Sequence, residues 1–273
     1  MQKVRQSPAD EGHLKEPVSS REMNIRTPDT RYQTLTARAV LSLLALIVLP
    51  FSLSAGAFAQ KSVTHKYPAQ KNVRFEMKNI SGTITVEAWE KSEIQVTATL
   101  YSPTAQFTPE QSEGCLGIDI VRDNRGRMVG DINFKVKVPV NSTVNIETRR
   151  GNISINNIRG EMVRARVSTS GDIDLTGIRA NQVIAESSMG NIFFDGELTG
   201  GAYTFKSLSG DISIRIPDNT SFSLVANGQP QSINLNSFAS PGLSFIGDGR
   251  KVYGNVDRGG GPSSHLTVFN QRG

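Results

Sequence analysis

The chain has 273 residues, with 30 Lys and Arg against 25 Asp and Glu, a net charge of +5 and a single cysteine. Seven of those cations and five of the anions fall in the first 59 residues, so the remainder carries only +3, too thin an excess for a nucleic-acid or anionic-lipid binder. The lone Cys115 leaves no internal disulfide to staple the fold, and it reads as a buried or inert thiol.

A polar, Arg-containing stretch runs through Arg38, and residues 39–59 then carry no charge. This is the layout of a secretory signal, with Ala57-Phe58-Ala59 as the cleavage site and Gln60 as the mature N-terminus. Met23 is an alternative initiator that would shorten the leader. The competing reading is an uncleaved anchor over 39–59, which approaches the roughly 20 residues a bilayer span needs. Cys115 lies far from the cleavage site, which argues against a lipid-modified N-terminal cysteine.

Beyond the leader the chain reads as short β-branched alternations separated by Gly, Asn, Asp and Ser: 73–77, 83–87 and 94–98 all run at period two. Residues 102–118 carry two prolines and read as a surface loop, with strands resuming at 118–121 and 131–138. From 144 to 217 a tetrad recurs: Gly151-Asn152-Ile153-Ser154, Gly171-Asp172-Ile173-Asp174, Gly190-Asn191-Ile192-Phe193 and Gly210-Asp211-Ile212-Ser213. A period near 20 residues is the signature of stacked β coils. Each coil has room for two strands of about five residues, with neighbouring coils about 4.8 Å apart.

The expected fold is therefore all-β, a single-stack parallel β-solenoid over residues 60–273 with a loop insertion near 102–118. Ile153, Ile173, Ile192 and Ile212 should stack in one column. The glycine supplies a corner that a Cβ would block, and the Asn or Asp hydrogen-bonds nearby backbone and its neighbour above. Degraded copies occur at Gly82-Thr83-Ile84 and Gly254-Asn255-Val256, which makes 210–254 about two enlarged coils. Gly273 stands where a further coil would start, which marks the C-terminal edge for a capping segment or a partner.

The approaches to these glycines, Ser168-Thr169-Ser170 and Ser187-Ser188-Met189, together with Gly259-Gly260-Gly261-Pro262 and His265-Leu266-Thr267-Val268, resemble the bacterial "putative adhesin" β-solenoid family of unknown function, over residues 70–273. That resemblance implies an exported, periplasmic or surface-facing repeat domain with no established catalytic residues.

The residues themselves give little chemistry. Asp172 and Asp211 are two coils apart, about 9–10 Å, too far to share a Ca²⁺ whose ligands sit near 2.4 Å, so Asn152, Asp172, Asn191 and Asp211 read as a turn ladder. The calcium nonapeptide repeat has period nine and paired glycines, unlike Gly171-Asp172-Ile173-Asp174. His65 and His265 fall in no nucleophile pattern that spacing would flag. No catalytic, cofactor or metal residue is assigned.

Arg149, Arg150, Arg164, Arg166 and Arg179 gather on adjacent coils, with Arg164 and Arg166 pointing out of one strand; they are either a stripe for anionic glycans or a solvated face that discourages edge pairing. Trp89 and Tyr203 are the aromatics able to stack on a sugar, the alternative for Trp89 being to pack over an end of the solenoid. The function this supports is a non-enzymatic adhesion or interaction module of the cell envelope, with an envelope protein or surface glycan as partner and end-to-end self-association as a further option. The alternatives are a glycan-binding or glycan-cleaving β-helix, and a membrane-anchored envelope-stress accessory protein.

Overall fold

Alternation along the strands through the middle of the fold, such as β2, β4, β7, β8 and β10, buries every second residue, and that alternation is what the two faces share. The computed structural model describes residues 61–259 and 263–272; the leader, Gln60, the glycine-rich 260–262 and Gly273 lie outside the described residues. The described chain is all-β and β-solenoid-like, with one short helix, α1 (Ile120–Asp123), and a 3-10 turn (Asn236–Phe238).

The early strands are β1 (Lys61–Pro68), β2 (Arg74–Ser81), β3 (Ile84–Trp89), β4 (Glu93–Leu100), β5 (Glu110–Ser112), β6 (Cys115–Asp119), β7 (Ile132–Pro139), β8 (Thr143–Arg150) and β9 (Ile153–Asn156). They are followed by β10 (Met162–Ser170), β11 (Ile173–Met189), β12 (Ile192–Ser209), β13 (Ile212–Arg215), β14 (Phe222–Asn227), β15 (Leu243–Ile246), β16 (Lys251–Val256) and β17 (Ser264–Asn270). Strands β11 and β12 run through a corner, so each contributes to both faces. The front face follows the order β5-β6-β2-β8-β10-β11-β12-β17-β14-β16-β15. The back face follows β1-β4-β7-β3-β9-β11-β12-β13.

Like strands of successive coils pair in parallel through the middle of both faces. Pairing becomes antiparallel at the flanks, in β5/β6, β14/β16, β15/β16, β1/β4 and β4/β7, so parallel pairing does not run through the whole chain. Coil order also departs from chain order. The later β6 and β7 lie outside β2 and β3, and β17 is inserted between β12 and β14.

Ile84, Ile153, Ile173, Ile192 and Ile212 stand in one register column, the middle three each 1% exposed. Only Ile212, at the end of the back face, is partly open. At the corners Gly151, Gly171, Gly190 and Gly210 donate to Ser170, Met189, Ser209 and Arg272 O at 2.8–3.3 Å. A Cβ on Gly171 would run into the carbonyl of Gly151, and one on Gly190 into that of Gly171, which is why this corner recurs as glycine.

Three expectations need correction. Residues 102–118 do not stay outside the stack: Gly114, at φ +72°, turns β5 into β6, and β6 joins the front face. Strand character does not resume through 121, because the Asp119 carboxylate caps Arg122 N at 2.9 Å and starts α1. Gly254 is no coil corner: it sits inside β16, antiparallel to Leu224 and Leu243, so 210–254 is not two enlarged coils.

Candidate functional site

Four of the five stripe arginines, Arg149, Arg150, Arg164 and Arg166, lie on the outer side of the front face, because β8 and β10 send Val144, Ile146, Val163, Ala165 and Val167 inward and leave the alternate positions outside; Arg179, on β11, does not join them. Arg164, partly covered, lies beside Glu147 at 3.6 Å and the exposed Arg166 beside Glu186 at 3.5 Å, so both arginines of β10 are engaged by carboxylates on neighbouring strands. Arg149 and Arg150 are exposed but part company. Arg149 enters a pocket on the front face, whereas Arg150 lines a separate depression beside Gly82 and Asn152.

That front-face pocket, about 420 Å³, lies where the ends of β2, β8 and β10 meet α1 and the loop after it. Five cations line it, Lys78, Arg122, Arg125, Arg149 and Arg166, against the two carboxylates Asp119 and Glu147. Arg122 is tied to Glu110 at 2.8 Å and Asp123 at 3.2 Å, and these hydrogen bonds, Glu110 first, hold its guanidinium above its ordinary value. Among the described residues no carboxylate stands within ion-pairing distance of Lys78, Arg125 or Arg149. The pocket thus offers three free cations converging from three different segments.

Asn79 forms part of the pocket wall and is 2% exposed. Its Nδ2 donates to Ser81 O at 3.1 Å and Ile132 O at 3.0 Å; since both are carbonyls, the amide cannot be turned over. Its Oδ1 is buried without a hydrogen-bond partner. Asn79 shares the inward side of β2 with Phe75 and Met77, so this acceptor faces the interior of the stack and not the pocket. Sequence reasoning found Arg149 and Arg166 but missed Lys78, Asn79, Arg122 and Arg125. Lys78 and Asn79 arrive because β2 stacks beside β8 across 69 residues of chain, a juxtaposition with no local signal.

The other candidates are placed elsewhere. Trp89 stands on the back face, where its Nε1 donates to Glu93 O at 2.7 Å and Lys91 and Lys137 lie over its ring at 5.0 and 5.5 Å. It lines a mixed-charge groove with Arg159, Arg179 and Arg215, in which Arg179 is paired with Glu197 at 3.4 Å and Arg215 with Asp195 at 3.3 Å. Of the stripe arginines only Arg179 shares this groove with Trp89; Arg149, Arg150 and Arg166 line other depressions. Tyr203 is no sugar platform either: it is fully buried, with its hydroxyl donating to Ala180 O at 2.6 Å.

The Asn and Asp of the repeat are occupied by backbone. Asn152 Oδ1 accepts from Asp172 N at 3.0 Å, Asp172 Oδ1 from Asn191 N at 2.7 Å, and Asn191 Oδ1 from Asp211 N at 2.8 Å. Asn133 extends this ladder downward by accepting from Thr83 N at 2.8 Å. One contact lay beyond any spacing argument: Ser223 Oγ and His265 Nδ1 are 2.6 Å apart, brought together by β14 and β17. The pair is on an open sheet surface, and among the described hydrogen bonds no carboxylate orients His265 as a nucleophile's base requires. Cys115 is half-buried; burial, and next Glu76, push its thiol above its ordinary value, with Arg74 acting the other way.

Comparison with known proteins follows from this geometry. A "putative cell adhesion protein" of Clostridium sporogenes is 10% identical, with 78% of this chain and 96% of that one covered and a TM-score of 0.49. A "putative adhesin" of Bacteroides fragilis is 14% identical, covering 57% of this chain and 97% of that one at a TM-score of 0.28. One of Parabacteroides distasonis is 16% identical, covering 58% and 76% at 0.31. No curated protein matches the chain. Residues 17–244 match the Toastrack DUF4097 description, and the chain belongs to that family.

Proposed function

We propose that this protein is an exported, non-enzymatic interaction module of the cell envelope that holds an acidic saccharide in the front-face pocket. The observation that carries the reading is the convergence of Lys78, Arg125 and Arg149 on one pocket, none of them ion-paired among the described residues. The cations call for a carboxylate, sulfate or phosphate, for which the arginine guanidinium is the better geometric match. A uronic acid or a sulfated or phosphorylated sugar of a surface glycan carries such a group. Export is supported by the signal-like layout of residues 39–59.

Titration of the full chain with trigalacturonate and with neutral maltotriose tests the reading. Binding of the acidic sugar alone, weakening as salt is raised, is expected. Equal affinity for both would remove the electrostatic basis, and release of an unsaturated uronate during the titration would overturn the non-enzymatic part. N-terminal sequencing of the exported protein should begin at Gln60, whereas an intact 39–59 segment in the membrane fraction would favour an anchored accessory protein.

A further inference from the structure

The two faces of the stack do not end together. The back face ends at β13, while the front face continues through four more strands, β17, β14, β16 and β15. Strand β17 is the front half of a coil in register with those before it: Leu266 stands on Tyr203 and Val268 on Phe205. Its carbonyl at Arg272 receives Gly210 N, as Ser209 O receives Gly190 N. Among the described residues no strand supplies the back half of that coil.

What lies there instead is an apolar groove of about 550 Å³. Ile212, Ile214 and Ile216 form one wall, Leu266 and Val268 contribute to the floor, and Leu235 belongs to the segment opposite. These isoleucines are partly exposed although Ile192 and Phe194, one coil earlier, are buried. The groove is also polar along one edge. Ile153, Ile173 and Ile192 each donate backbone N–H to the Asp172, Asn191 and Asp211 carbonyl of the following coil, at 2.8–2.9 Å, so the same group of Ile212 faces the groove. Asp211 stands at the top of the Asn/Asp ladder among the described residues.

We infer that this groove takes an extended segment of another polypeptide, added parallel to β13 as the missing half-coil. The segment has the chemistry of the coils beneath it: an Asn or Asp whose N–H meets the Asp211 carboxylate, then two apolar residues separated by one, packing on Ile212 and Ile214. An acyl chain would fill the apolar walls yet leave the β13 backbone groups unpaired, and a strand satisfies both. A second folded copy continuing the back face would need its own front face in the layer that β17, β14, β16 and β15 already occupy.

The test uses the full chain and the hexapeptide Gly-Asp-Ile-Ser-Ile-Arg, which copies residues 210–215. Saturating peptide should slow amide hydrogen exchange at Ile212 and Ile214 by about tenfold or more, and replacing both of its isoleucines with proline should abolish the effect. Leu235→Arg, in the wall opposite β13, should weaken the peptide about tenfold while leaving the exchange of β10 and β11 unchanged. Unaltered exchange at Ile212 and Ile214 would overturn the inference. So would equal binding of the proline peptide, displacement by dodecanoate without any change in exchange, or slow exchange in the free chain that depends on its concentration, which would assign the groove to a second copy.

Discussion

Asp172 shows how one side chain settles the meaning of the repeat. Its Oδ1 accepts from the Asn191 amide, a role asparagine fills equally, which is why the ladder alternates between the two residues. Asp172→Asn should leave thermal stability unchanged and Asp172→Ala should cost about 1 kcal/mol; a Ca²⁺-dependent rise in melting temperature, lost in Asp172→Asn, would contradict the ladder. Ile173→Asp places an unpaired charge in a column that is 1% exposed there and should cost more than about 4 kcal/mol, enough to unfold the domain by circular dichroism. At Cys115 the raised thiol pKa means a smaller thiolate fraction in the folded chain than in the unfolded one near pH 8. Iodoacetamide should therefore react several times more slowly with the native protein, and equal rates in urea and buffer would refute the assignment.

Elements show where the sequence was legible. The coils of 151–213 announce themselves because glycine, Asn or Asp and isoleucine recur at a fixed spacing and each does a local job. Gly254 shares that composition, but a strand's partner is chosen by hydrogen bonds to distant residues, and β16 turns antiparallel against β14 and β15. Tyr203 reads at period two, which fixes alternation and leaves open which side is inside; Tyr203 and Phe205 both point inward, against Phe194. Strand β17 joins β12 to β14, pairing with residues 63 and 42 positions earlier, and its loss should release both β14 and β16. Leu266→Asp is expected to bring exchange in β14 and β16 to near-unfolded rates while β8 and β10 stay protected, a pattern that uniform destabilisation would not give.

At the scale of the whole molecule, a parallel stack leaves open edges at each end, and among the described residues this chain covers them with antiparallel pairs and strands inserted out of order everywhere but beyond β13. The same rearrangement builds the pocket. Arg149 and Arg166 were visible as a basic stripe, whereas Lys78, Arg122 and Arg125 reach the pocket only because β2 lies beside β8 and β6 beside β2. The binding of an acidic saccharide by those converged cations is measured most directly by calorimetric titration of trigalacturonate into the wild type, the double variant Arg125→Ala/Arg149→Ala and, as a control outside the pocket, Arg150→Ala. Charge-assisted contacts of this exposed kind are worth about 1 kcal/mol each, so the double variant should bind at least about tenfold more weakly while Arg150→Ala matches the wild type. Equal weakening in Arg150→Ala, or none in the double variant, would contradict the account.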